Sequence, residues 1–207
     1  MKRLIIAPHC DDEVLGCGGL LAKYPEECEV VIMVKPTETR LQEHATSKAV
    51  LGYETTHFLS LRDGSLHESM VTMVDSLDRI VRMTQPQEMY LPYPDLHQDH
   101  ISTYEAAMRT ARASMNADHW YVPNVYVYDV AVYSFELRPT GLKFDTFEDI
   151  SGSPVLAKGK AMDCYVSETA PPPSPANGAA LITQAEALGA MHHRHAVEQY
   201  AAVRVLR

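Results

Sequence analysis

Basic residues are scarce in this 207-residue chain: 18 Lys and Arg stand against 27 Asp and Glu, a formal net charge of −9. Nucleic acid is bound through a basic face. No Lys/Arg cluster is present, so a polyanionic partner is not expected. Long apolar runs are missing as well. None approaches the roughly 20 residues that cross a bilayer, and no membrane span is expected. The four cysteines, Cys10, Cys17, Cys28 and Cys164, form no C-x-x-C pair and no disulfide-dense spacing. Cys17, Cys28 and Cys164 read as small buried apolar residues. There is no internal repeat, and one low-complexity segment, Thr169 to Gly178, rich in proline. The N-terminus starts basic, but its apolar run stops at Pro8 and a charged loop. It reads as a strand rather than a signal peptide, and a cytoplasmic protein is expected.

What is present is ordinary for a soluble globular chain: 46% hydrophobic and 22% charged residues. The length suits one domain, residues 1–207, with a substantial core. Apolar runs alternate with helical patterns. Leu4–Ala7 precedes Gly18–Tyr24, Val30–Val34 precedes Leu41–Leu51, and His57–Leu59 precedes Met70–Met83. Met89–Pro92 then precedes Ser102–Met115, and Val125–Val132 follows. This predicts an α/β fold with a mostly parallel sheet and helices on both faces. Val71, Val74, Leu77, Ile80 and Val81 recur at helix-face spacing and mark a core-packing stripe. Gly16-Cys17-Gly18-Gly19 lacks the spacing of a phosphate-binding loop; it is expected to let the first helix pack closely on the sheet. The 169–178 segment is read as a crossover or a rim loop within the domain.

The chemistry is concentrated in two loops. Ala7-Pro8-His9-Cys10-Asp11-Asp12-Glu13 follows the first apolar run directly. Ligands bind at the carboxyl edge of an open α/β sheet. His9 and Asp12, three apart, can both reach one metal ion, since zinc accepts N and O donors at about 2.0–2.2 Å. The neighbouring Asp11 is then a spare carboxylate beside the metal. The second loop, Tyr93-Pro94-Asp95-Leu96-His97-Gln98-Asp99-His100, follows another short buried strand. A catalytic zinc takes three protein ligands and keeps a fourth position open; His97 or His100 can complete the set. Cys10 is a conceivable thiolate ligand, but residue i+1 of an extended loop points away from residue i, so Cys10 is read as packing.

Together the two loops resemble the PIG-L/LmbE-like family of zinc-dependent N-acetyl deacetylases, which carries A-H-P-D-D-E and H-x-D-H loops. Further stretches are similar. Arg40-x-x-Glu43, ending at Leu51-Gly52, resembles the family's R-x-x-E helix, and Asp63-Gly64-Ser65-Leu66 its D-G-x-L loop. The stretch from Lys160 to Ser167 resembles a late helix that normally ends in Ser-Gln. Val197-Glu198-Gln199-Tyr200 with Arg204 resembles a closing A-E-x-F strand. Three departures stand out. Cys10 replaces a proline, the Val34–Thr39 segment is short, and Ser167-Glu168 stands for Ser-Gln.

The resemblance implies a Rossmann-like three-layer sandwich and hydrolysis of an acetamide in a small N-acetylated amino sugar or GlcNAc-linked compound. It implies one zinc or other divalent ion held by His9, Asp12 and His100, with Asp11 as general base and then acid. His97, oriented by Asp99 or Asp95, would donate to the developing oxyanion. Arg40 matches an arginine that reaches substrate; a solvated helix-face pair with Glu43 is the plainer reading. Tyr93 is expected to line the pocket or to pack beside its prolines, and Glu13 to brace the loop. His192, His193 and His195 read as exposed rather than as a second metal site. Self-association is also implied. The competing readings are a two-metal phosphoesterase and a non-catalytic sugar- or metal-binding relative.

Overall fold

The computed structural model describes residues 1–130 and 139–206. Apolar runs in the first part of the chain become strands β1 (Arg3–Ala7), β2 (Cys28–Val34), β3 (Thr55–Leu61), β4 (Glu88–Pro92) and β5 (Asn124–Tyr128). Between successive strands lie α1 (Asp12–Lys23), α2 (Glu38–Leu51), α3 (Met70–Thr84) and α4 (Gln98–Thr110). The later part adds β6 (Phe144–Asp149), α5 (Ser153–Asp163), α6 (Gly178–Met191) and β7 (Val197–Arg204). The seven strands form one sheet in the order β3-β2-β1-β4-β5-β7-β6. β1 to β5 are parallel, and β7 runs antiparallel to both β5 and β6.

The three layers follow from side-chain alternation along buried strands. Ile5 and Ala7 pack on one face with Val14 and Leu20 of α1 and Met162 of α5. Leu4 and Ile6 pack on the other with Met73 and Leu77 of α3 and Ala106 of α4. Leu77 and Ile80 of the predicted stripe are buried, while Val71 is exposed at the helix start. The expected strand over Val125–Val132 ends at Tyr128, and its positions from 131 on lie outside the described residues.

The glycines after the first loop do bring α1 close to the sheet. A Cβ on Gly16 would lie 2.0 Å from Cδ2 of Tyr128, and one on Gly19 2.6 Å from Cδ1 of Ile150. The helix is also broken at Cys17, whose φ of −132° and ψ of 15° are not helical. The groups this frees find buried partners. The N–H groups of Gly19 and Leu20 donate to Glu198 at 2.7 and 2.8 Å. Lys158 donates to the Leu15 carbonyl at 2.9 Å and to Glu198 at 2.6 Å, and Tyr200 donates to the other Glu198 oxygen at 2.8 Å. A buried ion pair persists only where its remaining donors and acceptors are satisfied; here the broken helix satisfies them. Lys158 is therefore the structural lysine of α5, whereas Lys160 is exposed.

The segment 169–178 is a hydrogen-bonded crossover from α5 to α6. Asn177 accepts from Ala180 N–H as the N-cap of α6, and its amide donates to the Ala170 and Ser174 carbonyls.

The sheet order places the site. β1 and β4 are neighbours, but the chain leaves them toward opposite sides of the sheet. Loops after such strands diverge and leave a crevice at the carboxyl edge. The loops after β1 and β4 are the two that carry the histidine and aspartate motifs.

Candidate metal centre

Asp12 is the first residue of α1 and His100 the third of α4, so two helix N-termini bring them together. His9 anchors on Asp12 through its own backbone N–H, 3.0 Å from Oδ2. Its ring Nδ1 lies 3.2 Å from the same oxygen, and Nε2 of His100 lies 3.5 Å from Oδ1. Donor atoms of His9, Asp12 and His100 all lie within 4.8 Å of one another. Two imidazoles and one carboxylate are a donor set that suits zinc. The electrostatics agree with a cation there. Burial opposes charge on both rings, yet bonds to Asp12 and Asp99 lift His9 to about 11. Asp12 likewise lifts His100 to about 9. Burial would raise the Asp12 carboxyl, but the two rings hold it well below its usual range.

The His100 and His9 imidazoles each have a carboxylate beside them. Asp95 is fully buried and accepts from Nδ1 of His100 at 2.7 Å, which leaves Nε2 for a metal. Asp99 stands 3.3 Å from Nε2 of His9 and accepts from Gly64 N–H at 2.8 Å and Leu66 N–H at 3.2 Å. It thereby ties the 63–66 loop to the site. A second convergent group, His9, His97 and Asp99, shares His9 with the first. In that group both Asp99 oxygens also accept backbone N–H groups.

Asp99 does hydrogen-bond a ring nitrogen of His97, through its main chain. His97 is the N-cap of α4, and its Nδ1 accepts the backbone N–H of Asp99 at 3.2 Å. That N–H is one of the orphan donors of the helix start. Accepting through Nδ1 puts the ring proton of a neutral His97 on Nε2. Burial, followed by the neighbouring His100 and His9 charges, lowers the pKa of His97. Asp95 contributes as well, accepting the His97 backbone N–H at 2.7 Å.

Asp11 sits at the N-cap of α1 but makes no side-chain capping bond. Its Oδ2 lies 3.5 Å from Nη2 of Arg40. Burial and the adjacent Asp12 charge raise its pKa well above the usual carboxylate range, against the pull of Arg40. Arg40 also meets Glu168 at 2.6 Å, while Glu43 accepts from the backbone and hydroxyl of Ser167 at 2.8 and 2.7 Å.

Two adjoining cavities open here. One of about 290 Å³ is lined by Asp11, Asp12, His97, His100 and Ala176. The other, of about 400 Å³, is lined by Lys35, Thr37, Thr39 and Ser167. His9, Arg40, Asp63 and Glu168 line both. Arg40 is thus brought to the site.

Tyr93 lines neither cavity. Its hydroxyl is 3.0 Å from Oγ1 of Thr140, and its ring is 5.6 Å from that of Phe144. Cys10 is buried in the core cluster and also lines the larger cavity. His192, His193 and His195 are exposed, and among the described residues they join no convergent donor group. Sequence reasoning assigned no role to the Asp63 carboxylate, 3.3 Å from Nε2 of His9, or to Glu168. The D-G-S-L motif and the Ser-Glu departure were their only signals.

Fold and site define a Rossmann-like α/β protein with a His/Asp/His centre at its switch point. Comparison with known proteins agrees: residues 4–111 match the family described as "PIG-L: GlcNAc-PI de-N-acetylase", and the chain belongs to this PIG-L/LmbE-like family. An uncharacterized deacetylase, YaiS, of Escherichia coli strain K12 is 27% identical over 124 residues, 53% of this chain and 67% of that protein. Among solved structures, the conserved protein TT1542 from Thermus thermophilus superposes with a TM-score of 0.81 at 20% identity. The match covers 100% of this chain and 96% of that one. N,N'-diacetylchitobiose deacetylase from Pyrococcus horikoshii superposes with a TM-score of 0.75 at 24% identity, over 98% of this chain and 83% of that one.

Proposed function

We propose that this protein is a metal-dependent N-deacetylase that releases acetate from an N-acetylated amino sugar or a small GlcNAc-linked compound. The observation that carries the reading is the division of labour at one cleft. Donor atoms of His9, Asp12 and His100 converge, while the neighbouring Asp11 carboxylate stays outside that group. Family membership and the deacetylases among its structural neighbours support the same reaction.

His9, Asp12 and His100 would hold the ion, with zinc the best match to two nitrogen donors and one oxygen donor. When bound, a divalent ion polarises the acyl oxygen and acidifies water. Asp11 takes the proton of the attacking water and returns it to the nitrogen as the C–N bond breaks, giving acetate and a free amine. Nε2–H of His97 donates to the oxygen that becomes anionic. Arg40, held by Glu168, shapes the wall opposite and keeps Asp11 aimed at the cleft.

A panel of N-acetylated amino sugars and nucleotide sugars, assayed for acetate release with zinc and with other divalent ions, tests the reading. Metal-dependent acetate release from at least one member is expected, with one bound ion per chain. Two ions per chain together with phosphate-ester hydrolysis would replace it with the phosphoesterase reading.

A further inference from the structure

Asp11 has φ 125° and ψ −32°, a backbone conformation that residues with a Cβ rarely adopt. Such a conformation persists only where its surroundings over-determine it. An aspartate at an N-cap ordinarily turns its carboxylate back onto its own helix. This one is delivered to Arg40 and the cleft instead.

The restraint is visible beneath it. Glu13 is fully buried, and its Oε2 accepts the backbone N–H of Asp11 at 2.9 Å. Its Oε1 accepts the Tyr165 hydroxyl at 2.6 Å and lies 3.2 Å from Nδ1 of His44. The same Nδ1 is 2.9 Å from the Tyr165 oxygen, and Nε2 of His44 is 3.0 Å from Oγ1 of Thr56. A buried carboxylate is costly unless fully bonded, and this one is bonded on both oxygens. His44 lies four residues, about one helical turn, beyond Arg40 on α2. One helix therefore reaches Asp11 twice: Arg40 meets its carboxylate, and His44 reaches its backbone through Glu13.

We propose that Glu13, oriented by His44 and Tyr165, is a positioning residue that fixes the Asp11 peptide and so keeps the Asp11 carboxylate in the cleft, apart from its ligand neighbour Asp12. The proposal rests on the reading of Asp11 as the acid–base group. It assigns work to His44, a residue with no signal in the sequence, and makes Glu13 act through Asp11 alone.

The test is a mutant cycle with a second, non-kinetic readout. Glu13→Leu, which removes both acceptor oxygens at similar size, should lower kcat by about tenfold, the scale of one buried hydrogen bond lost, with KM and metal content unchanged. Hydrogen exchange at the Asp11 amide, followed by NMR, should quicken by a similar factor. Tyr165→Phe, which keeps the ring, should move both readouts the same way by about threefold, and it runs the same cycle if Glu13→Leu does not fold. In an Asp11→Asn background neither change should add a further loss, because the route to the chemistry is already cut. An equal loss in both backgrounds, or unaltered Asp11 exchange, overturns the proposal. Wild-type turnover by Asp11→Asn alone would instead sink the acid–base reading, and amide exchange would still decide whether Glu13 holds that peptide.

Discussion

The carboxylate of Asp99 lies 3.3 Å from Nε2 of His9, while its backbone N–H donates to Nδ1 of His97 at 3.2 Å. One residue thus stands behind His9 with its side chain and donates to His97 with its main chain; under the proposed function these are a metal ligand and the oxyanion donor. The two roles separate by mutation. Asp99→Asn keeps the backbone bond to His97 but weakens the brace on His9. Loss of a carboxylate behind a ligand imidazole costs about 10–100-fold in metal affinity. Competition with a chelator of known affinity should show a drop of that size. An unchanged affinity would remove Asp99 from the support of His9.

Asp12 has no such intermediary. Its two oxygens face His9 and His100 at 3.2 and 3.5 Å, so Asp12→Ala should abolish metal binding and activity together while the fold persists. Elemental analysis of the purified variant measures the first and circular dichroism the last. Full metal occupancy would mean that the oxygen donor has been placed on the wrong residue.

Adjacent in sequence, Asp11 should behave in the opposite way. Asp11→Asn is expected to keep its metal and lose roughly a hundredfold or more in turnover, the scale of a general acid–base group. Metal content and kcat measured on one preparation separate the two aspartates. Near-normal turnover would move the base elsewhere.

The parts of this molecule legible in sequence were those where chemistry and pattern coincide. His9, Asp12 and His100 sit in dense polar motifs directly after buried apolar strands, and strand alternation reads out both faces of the sheet. β6 was not legible: Phe-Asp-Thr-Phe-Glu-Asp is an edge strand with carboxylates on a half-exposed ribbon, so it lacks an apolar run. α6 left a faint signal in the spacing of its buried Leu181, Ala185 and Gly189. Within the site, Asp95 and Asp99 are too close in sequence for spacing to say which backs which histidine. That division comes from the start of α4, where His97 takes the helix N–H of Asp99 and leaves the carboxylate to His9. Of the two readings of Tyr93, the structure shows packing contacts, with Phe144 of the strand that sequence reading missed.

Away from the cleft, the buried Lys158–Glu198 pair should govern stability. Removing one partner of such a pair strands the other charge and costs about 3–5 kcal/mol. Lys158→Met leaves Glu198 among the Gly19 and Leu20 N–H groups without its cation. Its urea midpoint should fall accordingly, with little change in the slope of the transition. Lys160→Met, on the exposed side of the same helix, should lie within about 0.5 kcal/mol of wild type. Equal midpoints for the two variants would show that the pair is not what holds the broken α1.

The two histidines of the second loop make the sharpest contrast. His100 has Nδ1 committed to Asp95 at 2.7 Å, so only Nε2 is left to face Asp12; His100→Ala should lose metal. His97 has Nδ1 committed to a backbone donor, has its pKa lowered by burial and by His100 and His9, and lines the cavity. Its loss should leave metal content and substrate binding intact while turnover falls by about a hundredfold or more, as for an oxyanion donor. His97→Gln, which retains an N–H donor, should recover part of that loss. Metal lost from His97→Ala and retained in His100→Ala would exchange the two roles and make His9, His97 and Asp99 the ligand set instead.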